Sequence, residues 1–581
     1  MNAKKNLILT SLVIKLTLII LIIAVALGNF FLFNHSYDQF IIYLLKHYHI
    51  EGKEAKLKAL LTAERYFQFK IFTLLSLALL VILSSQTKYD KVASNIIKNL
   101  HELKNSMGRA INYLTHLSYI NKIALSSVLI LYTAMQSYYL VKLPFTIDEA
   151  FSYVFFISKG LFVSASYYPG PNNHVLFSEL AVLFNSFIHD PVVSTRLLSL
   201  ISSIVAILLL FIFLQKKFGF APAFLGAIFF SFSSVNLFYS VQARGYSLVN
   251  LFVLISLISL QQALAGKKAY WYVYILASVL GFYTIPVFLY PFSSFLAYAL
   301  LLHIKDKRLL LRLLLFSVLI VLFTITLYFP VLLLNGFNAL TGSSWVAAKE
   351  DFFVRLPLYL NSVCSYLWNS ERYGLVLTIG LLLLFLLISI LRKDKGNIVF
   401  ISCAYAIPLL IIICQRVLPY ERVWTYLLII QSYHIAFIVA TAFAYLKYNL
   451  ALSVLCVILS LSFITQQVIK AADFYKSDYV NYYREMNVLI DKMVEKRPSS
   501  IMVTDDTYNV FIRYKYLINN ELISELQTAP ANIDRVYQWV VLPVNASFPT
   551  QLKLSNYRFF YKNQYVKAYF FDKKGQNEII R

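Results

Sequence analysis

Charge is scarce in this chain. Of its 581 residues only 14% are Asp, Glu, Lys or Arg, while 59% are hydrophobic. A soluble domain carries about 25% charged and 45–50% apolar residues. The deficit lies in long, nearly charge-free runs, which excludes a disordered chain and makes this a polytopic membrane protein. Cysteine is equally sparse: Cys364, Cys403, Cys414 and Cys456 are the whole set, and none sits in a CxxC. No disulfide framework or thiol-rich metal site is implied. With 16 Gly and 15 Pro, a collagen-like repeat is excluded. Acids are outnumbered 28 to 52 by Lys and Arg, a formal charge of +24. In a membrane protein that excess belongs in cytoplasmic loops, so no nucleic-acid partner is expected. HExxH, Walker A, GxSxG and DxD motifs are missing from any suitable context, which leaves zinc proteolysis, nucleotide hydrolysis and serine hydrolysis without support. No metal motif is evident; the cofactor is unassigned, and a divalent cation stays open.

Apolar runs of spanning length occur near 6–33, 67–86, 123–141, 196–214, 220–238, 246–262, 270–285, 286–303, 310–330, 374–391, 398–414, 423–443 and 449–467. That is about thirteen helices of roughly 20 residues. The first run exceeds the roughly 7–15 apolar residues of a signal peptide and reads as a retained helix. Tyr and Phe, 43 and 47 residues, suit a protein anchored at two wet interfaces. Basic clusters at Lys216-Lys217, Lys267-Lys268, Lys305 to Arg308 and Arg392 to Lys395 fall on one side by helix parity. They place the N-terminus and the 87–122 loop in the cytoplasm and the tail outside a cell membrane. The expected organisation is an all-α polytopic protein with a small C-terminal α/β unit. Residues 1–122 hold two extra helices with a basic link, 123–467 form a transmembrane core, and 468–581 form an extracytoplasmic domain. In that tail, 478–496 reads as a helix and 500–504, 538–542 and 565–571 read as strands.

Two outer connections, 142–195 and 331–373, are long, and long ordered loops usually carry function. The first opens with Thr146-Ile147-Asp148-Glu149. Thr146 and Glu149 fit a capping box, where Gln would serve as well as Glu. Asp148 is then left at N2, facing the aqueous rim as a candidate base. Later in the loop, Pro169-Gly170-Pro171 stops one segment, and Asn172 or Asn173 can cap the next. Capping does not account for both asparagines, nor for His174. Amphipathic helices in this loop would lie along the membrane surface. Two further outer turns carry arginines: Arg244 within Gln242-Ala243-Arg244-Gly245-Tyr246-Ser247, and Arg416 and Arg422 within 415–424. A guanidinium at headgroup depth can anchor to lipid or grip a lipid phosphate.

Asp148-Glu149 after the first core helix, Asn172-Asn173-His174, Arg196 at the start of the next span, Ala243 to Ser247, and Pro419 with Arg422 form an ordered set across about 123–467. In order and spacing it resembles the GT-C class of integral-membrane glycosyltransferases, nearest the protein O-mannosyltransferase and lipid A aminoarabinose transferase branch. The resemblance implies transfer of a sugar from a polyprenyl-phosphate donor to an acceptor glycan, lipid or protein at the outer face, with inversion. It implies Asp148 as base within an Asp148–Glu149 pair. Arg244, Arg422, Arg416 and Tyr246 would meet the donor phosphate, and Asn172, Asn173, His174 and Arg196 the substrate. Membrane lipids are the remaining expected partners.

This chain departs from the pattern at Gln242, where many relatives have an acid. A second carboxylate would come from Glu350, Asp351 or Glu421, or be absent. The competing readings are a secondary transporter or lipid flippase, which needs ionisable groups near the bilayer midplane; a polyprenyl-diphosphate-glycan ligase; and a non-catalytic subunit presenting the tail. The topology is tested by cysteine labelling in intact cells. A Ser500→Cys variant should react with an impermeant maleimide without lysis, and labelling only after lysis would invert the assignment.

Overall fold

The structure is a computed structural model that describes residues 2–47, 54–341, 348–447, 450–496, 499–519, 525–528, 536–550 and 552–571. Every one of the apolar runs is helical, and among the described residues ten helices are long and apolar enough to cross a membrane. The runs at 220–238, 270–285 and 286–303 give shorter helices. Ser233 breaks the first, ending Phe220–Phe232 and starting Ser234–Tyr239 with its hydroxyl accepting from the Asn236 N–H. Between the other two, Ile285 is forced into an extended conformation (φ −148°, ψ 130°) by Pro286, so Ala269–Thr284 stops there.

Burial ranks the spans. Pro191–Phe218, Tyr246–Leu264 and the stretch Glu421–Tyr445 are each 61% buried over their most apolar window and form the centre of the bundle, while Asn6–Asn34 and Ala63–Gln86 are 0% buried there and lie at its edge. The edge pair is tied together where Asn29 Nδ2 donates to the Thr73 carbonyl (3.1 Å) and Thr73 Oγ1 donates to Asn29 Oδ1 (3.0 Å). Phe72 stacks on Phe329 of the Lys307–Asn335 helix, joining the pair to the rest. The link after this pair is the amphipathic helix Tyr89–Thr115, which leaves Ile96, Leu100, Met107 and Ile111 exposed along one face.

The first long connection, 142–195, folds into the helices Ile147–Phe155, Leu161–Ser166 and Val175–Phe187. In the tail, Asp478–Val494 is helical as expected, and the sheet has five strands: β1 Ser500–Val503, β2 Glu525–Thr528, β3 Trp539–Pro543, β4 Tyr557–Lys562 and β5 Val566–Phe571. Their order is β2-β1-β3-β5-β4, with β1 parallel to both neighbours and β5 antiparallel to both of its own. The helix Asp506–Ile518 supplies the crossover that a parallel β1–β2 pair requires. Sequence reading missed β2 and β4. Both are edge strands, and β4 buries no residue fully, so neither has the half-buried alternation that marks a strand.

The tail is not a separate body hung from the membrane. Its Met486, Phe511 and Trp539 belong to one hydrophobic cluster with Phe145, Tyr153 and Phe177 of the long loop. At the centre of that junction Tyr514 stacks on Phe145 with centroids 4.7 Å apart and meets Tyr153 edge-on at 5.7 Å. Truncating a buried aromatic costs about 3–5 kcal/mol. Tyr514→Ala should therefore release the tail from the loop and expose it to limited proteolysis in detergent, whereas Tyr514→Phe, which keeps the ring, should cleave like the parent.

Candidate active site

The loop is seated by one buried ion pair. Glu149 and Arg196 both have side chains that are 0% exposed. Glu149 reaches back to the Thr146 N–H at 2.9 Å, as a capping box requires. Its two oxygens also accept from Arg196 Nε and Nη2, both at 2.7 Å, and from the Ala243 N–H at 2.8 Å. Arg196 spends its remaining N–H groups on the carbonyls of Leu140 (2.8 Å), Leu143 (2.9 Å) and Pro144 (3.0 Å). All five guanidinium donors are then used on protein acceptors. The pair fastens together the C-terminal end of the Tyr119–Lys142 helix, the start of the loop helix, the head of Pro191–Phe218 and the 239–246 turn.

That turn is held from three sides. Ser199 Oγ donates to the carbonyls of Gln242 (2.6 Å) and Arg244 (3.1 Å), Glu149 takes the Ala243 N–H, and His174 Nδ1 takes the Gly245 N–H at 2.8 Å. Gly245 has no room for a side chain: a Cβ would stand 2.8 Å from Thr284 Cγ2 and 3.1 Å from the His174 ring. Because Nδ1 accepts, the neutral imidazole carries its proton on Nε2, which stands 3.2 Å from Arg244 Nη2, so two donors meet there with no acceptor between them. Burial, reinforced by the charges of Arg244 and Arg422, holds His174 well below the usual histidine range. It is therefore neutral at physiological pH. Arg244 Nη1 donates to Ser152 Oγ and to the Asn172 carbonyl, both at 2.9 Å, while its buried Nε has no acceptor among the described residues. Several N–H donors converging with no carboxylate among them suit an oxyanion.

Asp148 stands on the open side of the same helix. Its Oδ2 accepts from Arg422 Nη1 at 3.0 Å across 274 positions of sequence, and the two side chains are 36% and 28% exposed. The Arg422 guanidinium also lies over the Tyr420 ring at 4.4 Å. Tyr239, Tyr420, Tyr479 and Tyr483 lie within range of the Asp148 charge. Tyr239 and Tyr479, with Tyr366, line a cavity of about 330 Å³ that is otherwise mostly apolar and is closed at one corner by Ser234, Asn369 and Lys470. No signal in the sequence marks these tyrosines among 43, and two of them come from the tail helix Asp478–Val494.

The structure thus brings Asp148, Arg422, Arg244, His174 and Tyr246 together; the Tyr246 ring meets His174 edge-on at 5.0 Å. Other expectations change. Arg196, expected to touch substrate, has no donor left for one. Asn173, expected in the same role, is buried and donates to the carbonyls of Ser164 and Tyr167 while accepting from Ser178 Oγ. The N-cap of Val175–Phe187 is His174 rather than an asparagine. Asn172 meets Arg244 through its backbone. Arg416 is exposed at the end of Lys395–Gln415 in a left-handed conformation (φ 52°), and its carbonyl accepts from the Lys349 N–H, outside this group. Of the possible second carboxylates, Glu350 is exposed, Asp351 pairs with Arg355, and Glu421 accepts from Ser362 Oγ at 2.7 Å. Gln242 accepts from Thr146 Oγ1 instead. Among the described residues no three His, Cys, Asp or Glu side chains converge as a metal site.

This arrangement sits on a known scaffold. The apo structure of ArnT from Cupriavidus metallidurans superposes with a TM-score of 0.50, covering 77% of this chain and 97% of that one at 11% identity. The chain shares the ArnT fold. The structure of the same ArnT bound to undecaprenyl phosphate gives a TM-score of 0.49 at the same identity and coverage. In sequence alone no family model and no curated protein matches. The expected polytopic helical bundle with a small α/β tail is therefore present.

The buried pair also revises what Glu149→Gln should do. Apart from the Thr146 hydroxyl, the partners of the Glu149 carboxylate are N–H groups, so a Gln amide nitrogen would set N–H against N–H, and Arg196 would be buried without a counter-charge. Removing one member of such a pair costs about 3–5 kcal/mol. Glu149→Gln should give little folded protein by size-exclusion fluorescence and a lowered melting temperature, while Asp148→Asn should melt like the parent.

Proposed function

We propose that the chain is a membrane glycosyltransferase that moves a sugar from a polyprenyl-phosphate donor to an acceptor hydroxyl or amine at the extracytoplasmic face. The observation that carries this reading is the meeting of a half-exposed carboxylate, Asp148, with Arg422 and with the donor corner of Arg244 and His174, on an ArnT-like scaffold.

In this reading Asp148 takes the proton as the acceptor heteroatom attacks the anomeric carbon. The bond from that carbon to the phosphate oxygen breaks on the opposite face, giving inversion, and its electron pair stays on the phosphate. Arg244, Arg422 and the His174 Nε2–H stabilise the charge that develops there. Arg422 links the two halves of the chemistry. In the absence of donor it holds Asp148 Oδ2. A bound phosphate competes for the same guanidinium, so donor binding frees Asp148 Oδ2 to face the acceptor. Glu149 and Arg196 are positioning residues that set the height of Asp148 above the turn. The aromatic cavity beside Asp148 offers a surface for a sugar ring or an apolar chain.

Transfer from a radiolabelled polyprenyl-phosphate sugar in membranes tests the assignment. Asp148→Asn should lose about 100-fold to 10,000-fold in rate with donor binding retained. Arg244→Ala and Arg422→Ala should each weaken donor binding by about 1.5–3 kcal/mol, roughly tenfold to a hundredfold, and Lys at either position should restore only part of it. Parental transfer by Asp148→Asn would remove it as the base; parental donor binding by both Ala variants would make the arginines interface anchors.

A further inference from the structure

The Pro191–Phe218 helix carries Arg196 near one end and Lys217 at the other. At 1.5 Å per residue the two are about 30 Å apart along the helix, the thickness of a hydrocarbon core. Around Lys217 lies a second cavity, of about 580 Å³, lined by Lys217, Gln261, Tyr298, Arg392, Asp394 and Asn397 with the ring of Phe437. It shares no residue with the catalytic group.

The polar groups of this cavity are unevenly matched. Lys217 Nζ stands over the rings of Phe213 (5.0 Å) and Tyr433 (5.3 Å) and makes no ion pair among the described residues. Asp394, the carboxylate on the lining, acts on it only at longer range. Both Asp394 oxygens are already engaged, accepting from the Asn397 N–H (3.0 Å) and Asn397 Nδ2 (2.9 Å), and Asn397 Oδ1 takes the Tyr433 hydroxyl (2.8 Å). Arg392 gives one N–H to Thr441 Oγ1 at 2.9 Å and lies over Phe437 at 5.7 Å, leaving other donors of its fork for the cavity. Beyond the lining, Lys216 feels the like charges of Lys267 and Arg109, so the rim is basic as well. An ammonium and a guanidinium that share a cavity with a committed carboxylate need an external anion with several acceptor oxygens, and phosphate has that geometry.

We infer that this cavity binds the phosphate of an anionic lipid headgroup in the leaflet opposite the catalytic face. The charged groups lie at the ends of membrane-spanning helices, at headgroup depth, and basic pockets between such helices hold anionic lipids in this way. The wall formed by Phe218, Phe437, Ala440 and Ala444 continues from the charged end and gives an acyl chain an apolar surface. The site is separate from glycosyl transfer and does not rest on it.

Native mass spectrometry of the full chain, stripped of lipid in detergent and then titrated with phosphatidylglycerol, phosphatidylcholine or inorganic phosphate, tests the inference. A single phosphatidylglycerol adduct should form at concentrations at least tenfold below those needed for phosphatidylcholine. Lys217→Gln with Arg392→Gln should abolish that preference, and Lys217→Arg should keep it, which controls for misfolding of the double variant. Inorganic phosphate that binds and blocks the lipid adduct would support the phosphate subsite and assign it a soluble source. Equal occupancy by the two lipids in the parent, or an unchanged phosphatidylglycerol adduct in the double variant, would overturn the site.

Discussion

The whole loop-and-turn assembly at this end of the bundle depends on a guanidinium and a carboxylate that never meet water. Arg196 and Glu149 stand with 0% exposure, where an isolated charge would cost several kcal/mol. They are tolerated because the match is complete: each Arg196 N–H has an acceptor, and each Glu149 oxygen accepts at least two hydrogen bonds. Such a pair adds little net stability compared with apolar side chains of the same shape, but it is directional. It fixes one arrangement of a span end, a loop helix and a turn whose residues lie about a hundred positions apart. Asp148 is the residue just before Glu149, so the position of its half-exposed carboxylate is inherited from the buried pair.

The same division of labour runs through the other site residues. Asn173 and Gly245 supply the fit that lets His174 present its ring edge, and Ser199 holds the turn from below. The groups that keep free capacity, Asp148, Arg422 and part of Arg244, are those with the fewest partners. Saturated groups make the frame, and groups with spare capacity stand together beside it. That rule separates roles within a cluster of polar residues more sharply than residue type does.

The spans were legible in the sequence because a charge-free run of about 20 residues has few alternatives. Asp148 was legible as distinct from Glu149 because capping geometry assigns N2 and N3 different surroundings. Arg196 was misread for a physical reason: an arginine at a span head looks the same in sequence whether it faces a ligand or three carbonyls converging from another helix end. Asn173 failed likewise, since its carbonyl partners are backbone atoms that no side-chain pattern announces. The ion pair between Asp148 and Arg422 joins loops 274 positions apart, and only a shared resemblance, not local spacing, suggested their proximity. The edge strands of the tail escaped because strands without a buried face carry no periodicity.

The seat of Tyr514 against Phe145 gives the chain a built-in order of assembly. The acid loop leaves the ribosome well before the helix that covers it, and most of the bundle is made between the two. Until that helix arrives, the loop lacks part of its apolar cover. Docking of that helix is therefore the step that completes this face, and a chain in which it fails to dock keeps part of the loop's apolar surface uncovered.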